Sequence, residues 1–238
     1  MLAAIFDDAM ADNAPLGHLV KQYITEDTLN DIAQEYQRGR LLLIATTNLD
    51  ARQAVIWNMG KIAAIGGPEA LALFHKILLA SAAIPGAFPP VMIDVEANGK
   101  RYQEMHVDGG AMAEVFLYPP ALKVGDLSKQ QGVVRERNLY IIRNARLDPD
   151  WAEVERRTVS IAARAVASLI HSQSIGDLYK IYAETQRDGI DFNLAYIPKS
   201  FNAPHKEEFD TEYMRQLFQT GYDLAVKGYH WDKTSPGL

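Results

Sequence analysis

Apolar and polar residues follow one another along this chain in blocks that predict helices and strands in alternation. Residues 25–38 carry apolar side chains at helical spacing behind a capping threonine, and Gly39 is expected to end that helix. Residues 40–47 form a continuous apolar run ending in two threonines, which is typical of a central strand buried on both faces. Residues 54–58 predict a second extended segment after a turn.

The next block predicts a buried helix followed by a hairpin. The helix runs from Glu69 to Ala83, led in by Gly66-Gly67-Pro68 and stopped by Pro85-Gly86. Residues 91–95 and 100–107 then predict two strands joined through Asn98-Gly99, a strong signal for a tight β-turn.

The second half of the chain continues the alternation. It predicts a strand at 138–143, a long helix from Asp150 to about Arg187 with a break near Gly176, a strand at 191–198 and a closing helix at 210–229. Strands that alternate with helices indicate an α/β fold. We expect residues 1–238 to form a single domain, since the sequence contains no repeat and no linker.

Composition removes several classes of function. The net charge of −6 and the pI near 5.5 provide no basic surface, so nucleic acid is not expected as a partner. The chain contains no cysteine, which excludes a disulfide framework, a thiolate zinc site and a cysteine nucleophile.

Neither an export signal nor a membrane span is predicted in the sequence as written. The first eight residues include two acidic residues and no basic, apolar leader, and no window approaches the roughly 18 apolar residues of a spanning helix. Any membrane contact is therefore expected to be peripheral, and the sequence leaves localisation open.

Candidate chemistry is concentrated where the strand at 100–107 ends in Asp108-Gly109-Gly110. Two glycines permit backbone angles that other residues avoid, and they allow the chain to approach another group closely. Taken alone, such a sequence also describes an ordinary turn whose aspartate binds its own backbone.

His106 precedes Asp108 by two residues, so strand alternation places both on one face of the sheet. Together they could form a histidine–carboxylate pair that acts as a catalytic base, or a metal site, but we favour for His106 a structural role or one that supports the site without touching the substrate. The other five histidines show no zinc-ligand spacing, and we expect no metal and no cofactor.

The segment from Ala80 to Pro90 brings small and apolar residues next to this position in the chain. Pro85 and Phe88 can wall an apolar pocket, or the segment can be a rigid connection into the next strand. Ser81 is expected to pack near the C-terminal end of its helix, because no glycine pair flanks it.

The segment at 80–90, its spacing to Asp108 and the stretches 39–50 and 54–60 resemble bacterial patatin-like phospholipases, most clearly over residues 6–120. The resemblance implies an α/β sheet flanked by helices, a lipid or ester substrate and a serine–aspartate dyad without cofactor or metal. It implies that Asp108 is the base of the dyad, with Gly109 and Gly110 forming the supporting turn, and that Pro85 and Phe88 can wall an acyl-chain pocket.

The sequence departs from the family pattern at the nucleophile. The family serine lies in Gly-x-Ser-x-Gly, and none of the eight serines here has these flanking glycines. The resemblance therefore implies an N-terminally truncated patatin-like domain that retains the base, lacks the nucleophile and is inactive alone. The alternative is a non-catalytic lipid-binding or interaction protein on the same scaffold.

Overall fold

A computed structural model describes residues 11–112, 116–117, 125–126, 136–149, 151, 153–204 and 209–237. The elements in these ranges, in chain order, are α1 Ala14–Tyr23, α2 Glu26–Gln37, β1 Leu43–Asn48, β2 Gln53–Asn58, α3 Met59–Ile65, α4 Gly67–Ala80, β3 Val91–Ala97, β4 Lys100–Asp108, a 3₁₀ turn Gly109–Ala111, β5 Asn138–Ile142, α5 Thr158–Asp188, β6 Asp191–Ala195 and α6 Thr211–Val226. The chain divides into two compact units, one comprising Met1–Glu114 with Ala162–Gln173 and the other Val115–Ile161 with Ser174–Leu238. The assignment of residues 1–238 to one domain stays a prediction.

The first unit contains a four-stranded antiparallel sheet in the order β2-β1-β4-β3. The predicted central position of β1 is confirmed, but its burial along the whole run is wrong. Leu41 and Leu42 are exposed and precede the strand, because β1 is paired on both sides only over Thr46–Asn48.

One face of this sheet packs against helices, and we call it the core face. Its residues Ile44, Trp57, Val91 and Ile93 pack in one cluster with residues of α2, α3 and α4, among them Phe74. Directly paired residues of neighbouring strands share a face, so Thr46 and His106 also lie on the core face.

Local sequence signals set several boundaries as predicted. Thr25 and Thr28 cap α2 reciprocally, each side chain accepting a hydrogen bond from the other residue's backbone N–H. Asn98 and Gly99 both have positive φ, 53° and 72°, and join β3 to β4 as the hairpin turn.

The second unit contains the parallel pair β5 and β6. Its core cluster combines Ile141 and Phe192 from these strands with Leu178 and Ile181 from α5. Sheets flanked by helices in both units confirm the predicted α/β class.

Helix α5 differs from its prediction at two points. It begins at Thr158 rather than Asp150, which lies outside the described residues, and it continues without a break through Gly176. Gly176 is exposed and a side chain there would meet nothing within 4 Å, so a glycine costs this helix some stability without interrupting it. Among the described residues, no helix has both the length and the apolar character needed to cross a bilayer.

Candidate active site at the end of strand β4

Backbone hydrogen bonds hold Asp108 at the end of β4 from two directions. Asp108 pairs with Thr46 of the central strand β1. Its backbone N–H donates a 2.9 Å hydrogen bond to the carbonyl oxygen of Ala83, just after α4. The position of the residue is therefore fixed by the sheet and by the segment that follows the helix.

The two carboxylate oxygens of Asp108 have different surroundings. Oδ1 accepts a 2.7 Å hydrogen bond from the backbone N–H of Gly110, whereas Oδ2 accepts none within the described part of the chain. Burial of the half-buried carboxyl raises the pKa of Asp108, and the Gly110 hydrogen bond opposes that increase. The carboxylate is thus oriented through one oxygen and available through the other.

Close backbone approach explains the glycine at position 109. A Cβ atom there would lie 2.7 Å from the carbonyl oxygen of Ala45 and 2.9 Å from its Cβ. The expectation of unusual backbone angles is wrong, because neither Gly109 nor Gly110 has a positive φ. Gly109 is needed because the turn packs directly on β1.

His106 is fully buried on the core face, in a chain of polar contacts. Its Nδ1 lies 2.9 Å from Oγ1 of Thr46, which accepts a 2.8 Å hydrogen bond from Nε1 of Trp57. On the other side of the ring, Nε2 lies 3.3 Å from Oε2 of Glu104. The two aromatic rings also touch, with centroids 5.6 Å apart.

The direction of these hydrogen bonds follows from the groups involved. The Trp57 indole can only donate, and a carboxylate of Glu104 can only accept. A His106 ring that donates from Nε2 to Glu104 and accepts a hydrogen bond from the Thr46 hydroxyl at Nδ1 satisfies every member of the chain. No hydrogen bond joins the side chains of His106 and Asp108. Among the described residues, the carboxylate of Asp108 has one hydrogen-bond partner, the backbone N–H of Gly110.

Thr46 and Trp57 were not among the residues that the sequence singled out. A signal existed, because a threonine inside a buried apolar run has a hydroxyl that needs a partner. The partner could not be read from the sequence, since Thr46 and His106 are 60 residues apart.

The segment with Pro85 and Phe88 forms a tight turn beside the site. The backbone N–H groups of Ala87 and Phe88 both donate to the carbonyl oxygen of Ile84 at 3.0 Å, and Gly86 has a φ of 82°. Pro85 and Phe88 are half-buried. This turn connects α4 to β3 and begins one residue after Ala83, whose carbonyl oxygen accepts the backbone hydrogen bond of Asp108. A role of Pro85 and Phe88 in an acyl pocket stays a prediction.

Ser81 lies at the C-terminal cap of α4, as expected. Its hydroxyl donates a 2.9 Å hydrogen bond to the carbonyl oxygen of Leu78. Within the described ranges, no group of three or more histidine or acidic side chains is arranged to hold a metal ion.

Comparison with known proteins agrees with the resemblance noted from the motifs. The family model of patatin-like phospholipases matches residues 1–120, which include β1 to β4 and the Asp108 turn. No curated protein matches the chain. The match covers half of the 238 residues. The chain belongs to the patatin-like phospholipase family, a family of lipid acyl hydrolases.

Proposed function

We propose that Asp108 is the general base of a serine–aspartate acyl hydrolase site that acts on a lipid or another carboxylic ester. The observation that carries the proposal is the asymmetry of its carboxylate. Oδ1 accepts a hydrogen bond from Gly110, whereas Oδ2 accepts none from the described residues. A base must be within hydrogen-bond reach of the proton that it removes, and Oδ2 is the oxygen that can accept it.

Burial prepares the same carboxylate for proton transfer. Because burial raises its pKa, the Asp108 carboxylate is a stronger base than an exposed aspartate. Asp108 would take the hydroxyl proton of a serine as its oxygen bonds to the ester carbonyl carbon, and return that proton to the departing alcohol. Water would then cleave the acyl-serine by the same route, with Asp108 again as base.

The serine of this scheme is not supplied by a Gly-x-Ser-x-Gly turn within the 238 residues. We therefore propose that these residues hold the acid–base part of the site and do not hydrolyse esters by themselves. The protein would meet a lipid substrate through peripheral contact with a membrane.

The proposal is tested first in the coding DNA upstream of Met1, where an in-frame Gly-x-Ser-x-Gly would provide the nucleophile. The longest polypeptide encoded there is then assayed for ester hydrolysis beside its Asp108→Asn variant. Asparagine keeps the shape and can still accept the Gly110 hydrogen bond, but it cannot take a proton, so we expect a loss of roughly 10²- to 10⁴-fold.

The matched control is Asp94→Asn, which changes an exposed carboxylate on β3 that is bonded to Lys76 and should leave hydrolysis unchanged. Hydrolysis that survives Asp108→Asn would remove Asp108 from the catalytic role. Upstream DNA that encodes no such serine, with retained lipid binding by the chain, would favour the non-catalytic lipid-binding function instead.

A further inference from the structure

Helix α6 of the second unit has two apolar faces. Tyr213, Leu217 and Leu224 recur at helical spacing and are half-buried, so they form the face that contacts the rest of the unit. No residue of the helix is fully buried. An ordinary surface helix would be polar elsewhere, and α6 is not.

The second face is an exposed row of apolar side chains, which we call the outer stripe. It consists of residues spaced four apart, Met214, Phe218, Tyr222 and Val226. Phe218 is 72% exposed and Tyr222 is 56% exposed, and their rings stack with centroids 6.4 Å apart. Such a row of large apolar side chains in water favours a partner.

Small residues lie beside the outer stripe at the same height along the helix. Gly221 and Ala225 are exposed, and a Cβ atom added at Gly221 would meet nothing within 4 Å. The open space beside the outer stripe therefore lies in the C-terminal half of the helix, at Gly221 and Ala225.

We propose that the outer stripe is the contact between two copies of this chain, whose α6 helices cross antiparallel about a two-fold axis. If the axis passes between Gln219 and Thr220, Phe218 of one copy is level with Gly221 of the second copy. Met214 is then level with Ala225 in the same way. Phe218 and Met214 thus each meet a small residue, and the two-fold axis makes each contact occur twice.

The apolar area of the outer stripe is sufficient for a weak dimer. A full aromatic side chain has an accessible surface of ~200 Å². On this scale, the exposed fractions of the four stripe residues add up to roughly 400–500 Å² of apolar surface per copy. Two copies, with their flanking polar side chains, then approach the ~1,000 Å² that marks a specific interface.

Charge favours a second copy over a lipid surface as the occupant. Helices that lie on membranes carry an excess of lysine and arginine on their polar face. In α6 and its C-cap, Glu212 and Asp223 balance Arg215 and Lys227, and the chain carries a net charge of −6. Such a surface has no attraction for anionic lipid but can pair with itself.

The test is sedimentation-velocity ultracentrifugation of the 238-residue chain over a range of concentrations. We expect a reversible monomer–dimer equilibrium in the wild type. Phe218→Asp should weaken the dimer roughly tenfold or more. Gly221→Leu fills the open space with a better helix former, so it should also weaken the dimer while the thermal unfolding temperature rises or stays unchanged.

The matched control is Gln216→Leu, which adds the same apolar side chain to a different face of α6 and should leave the dimer unchanged. Circular dichroism checks that each variant keeps its helices. A wild type that is monomeric throughout would overturn the proposal, as would a dimer that Gly221→Leu strengthens. Phe218-dependent binding of the monomer to phosphatidylcholine vesicles, without a dimer, would assign the stripe to lipid instead.

Discussion

A Cβ atom at Gly109 would lie 2.7 Å from the carbonyl oxygen of Ala45. That distance is too short for any real contact, and the obstacle is the backbone of the central strand β1, which cannot move aside easily. The turn after Asp108 is therefore packed against the sheet through a glycine, and the position of the carboxylate depends on this contact.

Gly109→Ala is expected to destabilise the protein by about 1–3 kcal/mol, because the added methyl group must push the turn away from β1. Urea unfolding measures the change. The matched control is Gly176→Ala in α5, where the methyl group enters open space on a helix and should stabilise by up to about 1 kcal/mol. Equal stability of the two variants would contradict the close approach at Gly109.

The pKa of Asp108 provides a second prediction, with a definite sign. Burial raises this pKa in the folded protein, so the folded state binds the proton more tightly than the unfolded state does. At pH values below the pKa of Asp108 in the unfolded state, the residue should therefore not reduce the free energy of unfolding. The free energy of unfolding should fall as pH rises through the pKa of Asp108 in the folded state.

Asp108→Asn removes that cost. The free energy of unfolding of the variant, compared with that of the wild type, should therefore be higher at pH 7 than at low pH. Unfolding in urea at both pH values measures this, and carbon-detected NMR titration of the Asp108 carboxyl gives the pKa directly. A pKa at or below the ordinary aspartate value would contradict the account of burial.

Two adjacent threonines of β1 should respond in opposite ways to the same substitution. Thr46→Val removes the hydroxyl that serves both Trp57 and His106, leaving buried polar groups without partners, and should cost about 2–3 kcal/mol. Within the described part of the chain, the hydroxyl of buried Thr47 has no hydrogen-bond partner, so Thr47→Val should be neutral or stabilising. Chemical denaturation compares the two variants, and equal losses would contradict the assigned network.

Tyr196 provides a test in the second unit. Its hydroxyl donates a 2.9 Å hydrogen bond to Asp232, which raises the pKa of Tyr196 to about 12. Tyr196→Phe should cost about 1–2 kcal/mol. Tyr140→Phe is the control, since that exposed hydroxyl makes no described hydrogen bond while its ring packs on Trp231. A smaller loss for Tyr196→Phe than for the control would contradict the strength assigned to this bond.

The parts of the fold that could be predicted are those set by neighbouring residues. The Thr25 cap and the Asn98-Gly99 turn each follow from a backbone geometry that only a few residue types favour. The start of α5 at Thr158 was missed, because the charged residues before it are compatible with a helix and Arg157 provides no side-chain cap.

The candidate site divides in the same way. The turn at Asp108–Gly110 could be predicted because its residues are contiguous in sequence. The contact of Gly109 with Ala45 and the hydrogen bonds of His106 could not be found, because they join residues brought together only by strand pairing. Long-range register is decided by the packing of the whole sheet, and no local pattern contains it.

Fluorophosphonate labelling of the folded 238-residue chain and of its Asp108→Asn variant, with peptide mass spectrometry to locate any modified serine, tests whether these residues hold a complete hydrolase site. We expect that neither protein is labelled stoichiometrically at any of the eight serines, because none of them lies in a Gly-x-Ser-x-Gly turn. Stoichiometric labelling of one serine in the wild type, lost in Asp108→Asn, would show that the chain carries both nucleophile and base and would overturn the proposed division of the site.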